Sequence, residues 1–343
     1  MALRVLMTGG GAPGAAGILK CLQQHADIEI VVADANPESV GRYLNPIFEV
    51  IPKATDATFI TAIEQLCQKH QIQVIVPLVT RELFPLSQNK ERFAQKGIKV
   101  LVSNYEQLSI ANDKGKLYEL LHTNGILTPQ FQIATIVDEL ENAVGQLGYP
   151  NKVVCFKPCV SNGSRGFRII DENKDEFDLL FNHKPTAEYI TLKKAISILK
   201  QKPFPPLLVS EFLSGEEYTI DCLAQNGKCL LAIPRLRKKM VQGISVAGVI
   251  EQHQEIINYC KSIVECCNLH GNIGVQVKRG EDGIFKILEI NPRVQGTTVA
   301  LLGAGVNLPL LAVQMEMGET INPETINIKW GTEFTRHWTE VFH

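Results

Sequence analysis

The stretch Phe285-Lys286-Ile287-Leu288-Glu289-Ile290-Asn291-Pro292-Arg293 decides how this chain is read. Its apolar residues predict a strand, and the following proline ends it. Glu289 and Asn291 stand two apart, so on an extended strand both point to one face. Residues 274–278 and 285–290 predict a hairpin about Glu281-Asp282-Gly283, which sets Gln276 beside them on the paired strand. Oxygen donors from Gln, Glu and Asn, completed by phosphate oxygens and water, suit Mg²⁺. Arg293 can then reach a transferring phosphoryl group, where positive charge stabilises the transition state. The plain alternative is a polar strand end before a proline, and the segments upstream decide against it.

Phe156-Lys157-Pro158 puts a lysine at the end of an apolar strand. The small-residue loop Ser161-Asn162-Gly163-Ser164-Arg165-Gly166 follows. Glycines let backbone N–H groups close on phosphate oxygens, and a nearby lysine neutralises their charge. Farther on, Val209-Ser210-Glu211-Phe212-Leu213-Ser214-Gly215-Glu216-Glu217 is an apolar strand that ends in an acid, turns through Gly215 and resumes with acids. Such a turn can offer backbone groups to an adenine edge and a carboxylate to ribose hydroxyls. Arg235-Leu236-Arg237-Lys238 follows an apolar strand and precedes a loop with Gly243 and Gly248. It reads either as a cationic cluster for an anionic substrate or as a solvated basic face.

In this order the segments resemble the ATP-grasp superfamily over nearly the whole chain. They are most similar to the ATP-binding halves of the carbamoyl phosphate synthase large subunit and to related stand-alone carboxylate–amine ligases. Pro77-Leu78-Val79-Thr80-Arg81-Glu82-Leu83 carries the likeness in the first domain. The resemblance implies a Rossmann-like preATP-grasp domain over 1–108, a connector and small lobe over 109–212, and a C-terminal lobe with the metal site over 213–343. It implies that ATP lies between the two lobes. Lys114 and Lys157 would contact its phosphates. Ser161, Gly163, Ser164, Arg165 and Gly166 would belong to the mobile phosphate loop. Glu211, Phe212 and Leu213 would form the adenine hinge, and Glu217 would hold the ribose. Gln276, Glu289 and Asn291 would ligate Mg²⁺, or Mn²⁺ in its place, and Arg293 would bind the γ-phosphate and an acyl phosphate. Arg235 and Arg237 join Arg293 as candidate catalytic cations. Two positions depart from the pattern: Ser210 stands where the first of two hinge acids is common, and Gln276 where an Asp or Glu often stands.

The coarse pattern agrees. Strands at 4–8, 28–33, 74–77 and 99–102 alternate with helices at 59–70 and after the glycines of 9–17, so the fold class is α/β with a parallel sheet, followed by α+β segments. A helix is expected over 116–124 and another over 137–147, with strands at 153–157 and 167–170. Strands at 218–224 and 228–234 flank an Asn226-Gly227 turn, and residues 256, 257, 260, 263, 264 and 267 mark one face of a helix over 253–267. Residues 202–206 read as a surface loop. Gly9, Gly11 and Gly14 also match the dinucleotide fingerprint, with Asp34 where a ribose-binding acid would sit. The plain reading is a tight strand-to-helix turn. Asp34 and Glu82 are expected as structural caps, and Asp221 reads equally as a site residue or a strand-edge polar one.

Of the 343 residues, 45% are hydrophobic and 20% charged, which excludes a disordered chain. Thirty-four basic residues against thirty-six acidic ones leave a net charge of −2, with no basic footprint for nucleic acid or a membrane. Nine scattered cysteines without a Cys-x-x-Cys pair fit reduced, buried thiols in the cytoplasm rather than zinc or disulfides. The expected function is ATP- and Mg²⁺-dependent ligation of a carboxylate to an amine, through an acyl phosphate. Homodimerisation is an expectation from the family alone. The alternatives are phosphorylation of a small carboxylate as part of a split synthase, a non-catalytic nucleotide-binding protein and an NAD(P) oxidoreductase. The chain is too short for a carbamoyl phosphate synthase with both grasp halves.

Overall fold

The apolar run Leu3–Thr8 forms β1 and is buried on both sides: Val5 and Met7 enter one core cluster and Leu6 the other. Such a strand belongs at the centre of a parallel sheet covered on both faces. It pairs in parallel with β2 (Ile28–Asp34) and, with β3 (Phe48–Val50), β4 (Val74–Pro77) and β5 (Lys99–Val100), builds a sheet of order β3-β2-β1-β4-β5. The expected strand at 99–102 is therefore two residues long. The computed structural model describes residues 2–161, 163, 165–182, 188–241 and 243–343. Among these, no helix is long and apolar enough to cross a membrane.

The turn after β1 has a packing reason for its glycines. The helix Ala15–Leu22 follows its N-cap Gly14 and so begins two residues before the end of the expected 9–17 loop. A Cβ on Gly14 would lie 2.0 Å from the Gly296 Cα, and one on Gly17 would lie 2.7 Å from Val299. The glycines thus let this helix lie directly on the 296–302 segment. Ile18, Leu19 and Leu22 then bury their side chains with Leu301 and Ala312, each such burial contributing about 1.5–3 kcal/mol.

A second sheet contains β6 (Phe131–Ala134), β7 (Val154–Pro158), β8 (Arg168–Ile170), β9 (Tyr189–Ile190) and β10 (Leu207–Glu211), in the order β6-β10-β7-β8-β9. It is antiparallel except at β8–β9. The helix Val137–Gln146 covers it with Leu140 and Val144 against Phe156, Ile170 and Val209. The third sheet has β11 (Glu217–Gln225), β12 (Lys228–Val241), β13 (Ile244–Ile250), β14 (Gly271–Arg279), β15 (Phe285–Asn291) and β16 (Thr332–Thr335), in the order β15-β14-β11-β12-β13-β16. The β11–β12 turn is held by Asn226 and Gly227, both at positive φ (48° and 86°), the geometry that suits an Asn-Gly hairpin.

One expectation fails in this sheet. Strand β12 does not stop at 234 with a basic run leading into a loop; it continues to Val241, and Gly248 lies inside β13. Arg235 pairs with Thr219 on one side and Ile250 on the other. Charged side chains persist in the strand because β13 supplies a ladder out to Val241 whatever side chains it carries. Gly248 is needed there, since a Cβ would lie 2.3 Å from the Leu236 carbonyl oxygen.

The chain forms two compact units. One comprises Met1–Ala111, Tyr218–Gln276 and Ile290–His343; the other comprises Asn112–Glu217 and Val277–Glu289.

Candidate active site

In the second unit, Asp113 caps the helix Lys114–Thr123 by accepting from the Gly115 and Lys116 N–H groups. The helix therefore starts two residues before the expected 116. That start fixes Lys114, whose ammonium donates to the Ser161 carbonyl at 2.9 Å and lies 3.4 Å from Glu289 Oε2. Lys157, near the end of β7, donates to the Leu288 carbonyl at 2.8 Å. Burial pulls its ammonium below the usual lysine range; the Glu289 carboxylate opposes that pull and the Lys114 charge adds to it. Two ammonium groups thus act on one carboxylate, Glu289, and Glu217 makes a smaller attractive contribution at Lys157. Tyr118, four residues after Lys114, fixes the neighbourhood by donating its hydroxyl to the Ile287 carbonyl at 2.6 Å. Tyr118 carries no site motif of its own; its one sequence signal is that a residue four positions on shares a helix face with Lys114.

The loop after β7 is placed in part. Gly163 and Gly166 have φ of 64° and 80°, and a Cβ on Gly166 would press on Pro158 at 2.7 Å. The Ser161 hydroxyl donates to the Pro158 carbonyl, and Arg165 is exposed. Ser164 lies outside the described residues.

At the expected hinge, the Glu211 carboxylate is committed within the unit: it accepts from the Gln130 N–H and from Lys286, both at 2.8 Å. Burial works against the Lys286 ammonium, but its bonds to Asp282 and Glu211 outweigh that and raise its pKa. The Glu211 and Phe212 N–H groups are bonded to the Gln130 and Val153 carbonyls, so the hinge offers mainly the Leu213 backbone and the Phe212 ring, with Lys278 Nζ 5.2 Å from its centroid. Leu213 is buried and Glu217 half-buried.

Along β15, half-buried Glu289 and Asn291 flank buried Ile290, the alternation expected from their spacing. Gln276 is half-buried on β14. The division into units falls inside this hairpin, with Glu289 in the second unit and Gln276 and Asn291 in the first. The donors are hard oxygens, and Glu289 already attracts a cation in the form of Lys114, so this donor chemistry fits Mg²⁺.

In the first unit, Arg293 Nε donates to Thr80 Oγ1 at 3.1 Å, a link across 213 residues that no local pattern announces. Arg237 is half-buried and donates to Ser245 Oγ and the Gly243 carbonyl. Arg235 is fully buried; its Nε donates to Asp221 Oδ2 at 2.6 Å, and Asp221 Oδ1 accepts from Thr298 Oγ1 at 2.6 Å. Asp221 is thus the partner of a predicted site cation. The two outer guanidinium nitrogens of Arg235 have no hydrogen-bond partner among the described residues.

Asp34 accepts from the N–H groups of Gly11 and Asn36 at 2.7 Å, capping the loop as expected. Glu82 differs: it lies in the first turn of the helix Thr80–Gln88 but accepts from Thr8 Oγ1, at the end of β1. Burial is the main cause that pushes its carboxyl up to about 7, and the Asp34 charge adds to the shift. The neutral form is therefore favoured by folding. This stability is fully present below the ordinary carboxyl pKa of 4.5 and is lost as pH rises through about 7. Glu82→Gln keeps an acceptor for Thr8 and cannot ionise. It should match the wild type near pH 5 and exceed it at pH 8.5 by about 2–3 kcal/mol in urea unfolding; equal differences at both pH values would refute the assignment.

Residues 203–336 match the family described as ATP-grasp in the biosynthetic pathway with Ter operon, and residues 5–101 match the PylC-like N-terminal domain. The chain thus resembles the ATP-grasp superfamily through residues 203–336 and a PylC-like protein through residues 5–101. Similar solved structures agree on the fold. The N5-carboxyaminoimidazole synthetase from Staphylococcus aureus complexed with ADP has a TM-score of 0.70 at 16% identity, covering 94% of this chain and 80% of that one. A biotin carboxylase–β-γ-ATP complex from Campylobacter jejuni has a TM-score of 0.71 at 14% identity, covering 94% and 73%. An L-amino acid ligase from Bacillus licheniformis has a TM-score of 0.65 at 14% identity, covering 95% and 77%. In ATP-grasp terms the first sheet is the Rossmann-like N-terminal domain, and the mixed and antiparallel sheets are those of the two ATP-grasp lobes.

Proposed function

We propose that the chain is an ATP- and Mg²⁺-dependent ligase that activates a substrate carboxylate as an acyl phosphate and joins it to an amine. The observation that carries this reading is the paired ammonium groups of Lys114 and Lys157 about Glu289. Nucleotide in two of the similar structures, ADP in one and β-γ-ATP in the other, supports it, as does the ligase among them.

On this reading Lys114 and Lys157 neutralise ATP phosphate oxygens, and the 161–166 loop closes over them through Ser161, Gly163, Ser164, Arg165 and Gly166. Backbone at Glu211–Leu213 receives the adenine, and Glu217 the ribose. Gln276, Glu289 and Asn291 would hold Mg²⁺, which would supply charge neutralisation at the transferring phosphoryl group. A carboxylate oxygen forms a bond to the γ-phosphorus while the bond to the bridging oxygen breaks, and ADP leaves. Arg293, oriented by Thr80, stabilises charge on the moving group, and Arg235 and Arg237 bind anionic substrate oxygens. The amine then bonds to the acyl carbon, phosphate departs, and the nitrogen loses a proton. The chain supplies position and charge rather than a covalent nucleophile. Nine free thiols, eight of them buried, suit a reducing compartment, so the proposed location is the cytoplasm.

The dinucleotide alternative meets a steric objection. The N-terminus of the helix Ala15–Leu22, where a pyrophosphate would bind, has Gly296 backbone packed on Gly14.

Thermal unfolding with Mg-ADP against NAD⁺ and NADP⁺ tests the reading first. At about 100 times its Kd, Mg-ADP should raise Tm by about 2–4 °C, and Glu289→Ala with Asn291→Ala should abolish the rise. ADP release over a grid of carboxylates and amines then identifies the substrates. Mg-ADP binding without ADP release from any pair would favour the non-catalytic alternative, and a shift with NAD⁺ alone would overturn the reading.

A further inference from the structure

The loop after β1 matches a phosphate-binding fingerprint, yet its chemistry is that of a cation site. Gly10 N–H donates to the Ala33 carbonyl, Gly11 N–H to Asp34 and Ala12 N–H to the Gly9 carbonyl, while Pro13 has no N–H. Three N–H donors of the loop are therefore consumed at home.

Beside this loop lies a cleft of about 480 Å³, lined by Gly11, Asp34, Glu38, Ser39, Val40 and Val79 among others. It sits at the carboxyl ends of the strands: Gly11 follows β1, Asp34 ends β2 and Val79 follows β4. In the order β3-β2-β1-β4-β5, the chain reverses its direction of winding at β1 and β4, which is where open parallel sheets place ligands. Two carboxylates line the cleft and no basic side chain does. The nearby Arg42 is turned to the Pro37 carbonyl. Ser39 supplies an independent observation: it is 4% exposed, and its hydroxyl has no partner among the described residues. Buried hydroxyls are nearly always paired, so this orphan marks a place for an ordered water or a bound group. Asp34 is anchored through one hydrogen bond to each oxygen, which leaves each oxygen a further lone pair. Its charge already acts on buried Glu82, and a bound cation would relieve that repulsion. Val40 and Val79 give the cleft apolar walls.

We infer that this cleft is a binding site for an ammonium group on an aliphatic chain, held by Asp34, Glu38 and Ser39. The inference stands on the first domain alone and does not need the nucleotide reading.

The test uses the full chain with n-butylammonium and 1,4-diaminobutane as probes, followed by NMR saturation transfer and thermal shift at matched ionic strength. Butanoate, n-butanol, adenosine and NAD⁺ serve as controls. Saturable binding of the amines alone is expected. Glu38→Gln should weaken it about tenfold, as befits loss of one of two charged contacts, and Asp34→Asn with Glu38→Gln should abolish it. Cooperative thermal unfolding without ligand, measured in parallel, reports that each variant is folded. Glu38→Gln leaves the Asp34 anchor untouched, so the site remains testable if the double variant misfolds. No saturable amine binding by the wild type, or amine binding indifferent to Glu38→Gln, overturns the inference. So does equal binding of adenosine or NAD⁺, since Asp34 would then be accepting ribose hydroxyls. Amine binding without any Mg-ADP shift would sustain this site while removing the nucleotide reading.

Discussion

Lys157→Met is expected to cut Mg-ATP-dependent ADP release by about a thousandfold and weaken Mg-ADP binding at least about tenfold, as removing a charge aimed at phosphate oxygens does. The two properties should part company with stability. Methionine keeps the stem that lies along β7, while the ammonium is opposed by its own burial and by Lys114. Removing it costs the bond to the Leu288 carbonyl, worth about 1 kcal/mol, and relieves a desolvation penalty of similar or larger size. Tm should therefore hold or rise while activity collapses, the signature of a charge retained for a ligand. An ADP-release rate within threefold of the wild type would remove Lys157 from the site.

Much of the scaffold was legible because its signals are local. The helix Phe59–His70 and the strand Val74–Pro77 fall on their expected residues, and Ile256, Ile257, Cys260, Ile263, Val264 and Cys267 are all buried, as their spacing requires. The short strands Phe131–Ala134, Phe48–Val50 and Tyr189–Ile190 had no pattern to find. The first exists because Ser210 and its neighbours pair with it from far along the chain. Strand β12 runs past its expected end for the same reason: residues 235 and 236 pair with both neighbours, and the extension to Val241 comes from the β13 ladder.

The candidate site divides the same way. Lys157 and Glu289 were visible from residue type and order, Lys114 only through the family resemblance, and the second unit brings the three together. Their anchors were not visible, since Thr80 lies 213 positions from Arg293 and Lys286 meets Glu211 across 75. Glu211 shows the limit of residue type as a guide: an acid at a hinge position reads as a ligand until a lysine is found on it. Gly9, Gly11 and Gly14 show the converse, where a familiar spacing serves helix packing because Gly296 occupies the space in front of Gly14.

Asp221→Leu is expected to destabilise the protein by about 3–5 kcal/mol in urea unfolding, because it leaves a buried guanidinium without its anion. Arg235 is fully buried, Asp221 is 2% exposed, and the pair meets at 2.6 Å. Thr298 would lose its acceptor as well. Arg235→Met strands the carboxylate instead, though Thr298 still donates to it, so its cost should be smaller. The informative protein is the double variant, Asp221→Leu with Arg235→Met. Both charges leave together, and two apolar side chains of suitable volume replace them. Its destabilisation should fall well below that of Asp221→Leu alone, which gives a large coupling in the double-mutant cycle. This folded double variant then separates two reasons for keeping Arg235. If the pair only joins β11 to β12, ADP release survives. If the two unpartnered guanidinium nitrogens are kept for an anionic substrate oxygen, the double variant folds and binds Mg-ADP, yet substrate-dependent ADP release falls at least about a hundredfold. The proposed role of Arg235 predicts the second outcome, because a buried fork with two orphaned donors is a costly way to join two strands that already share a ladder.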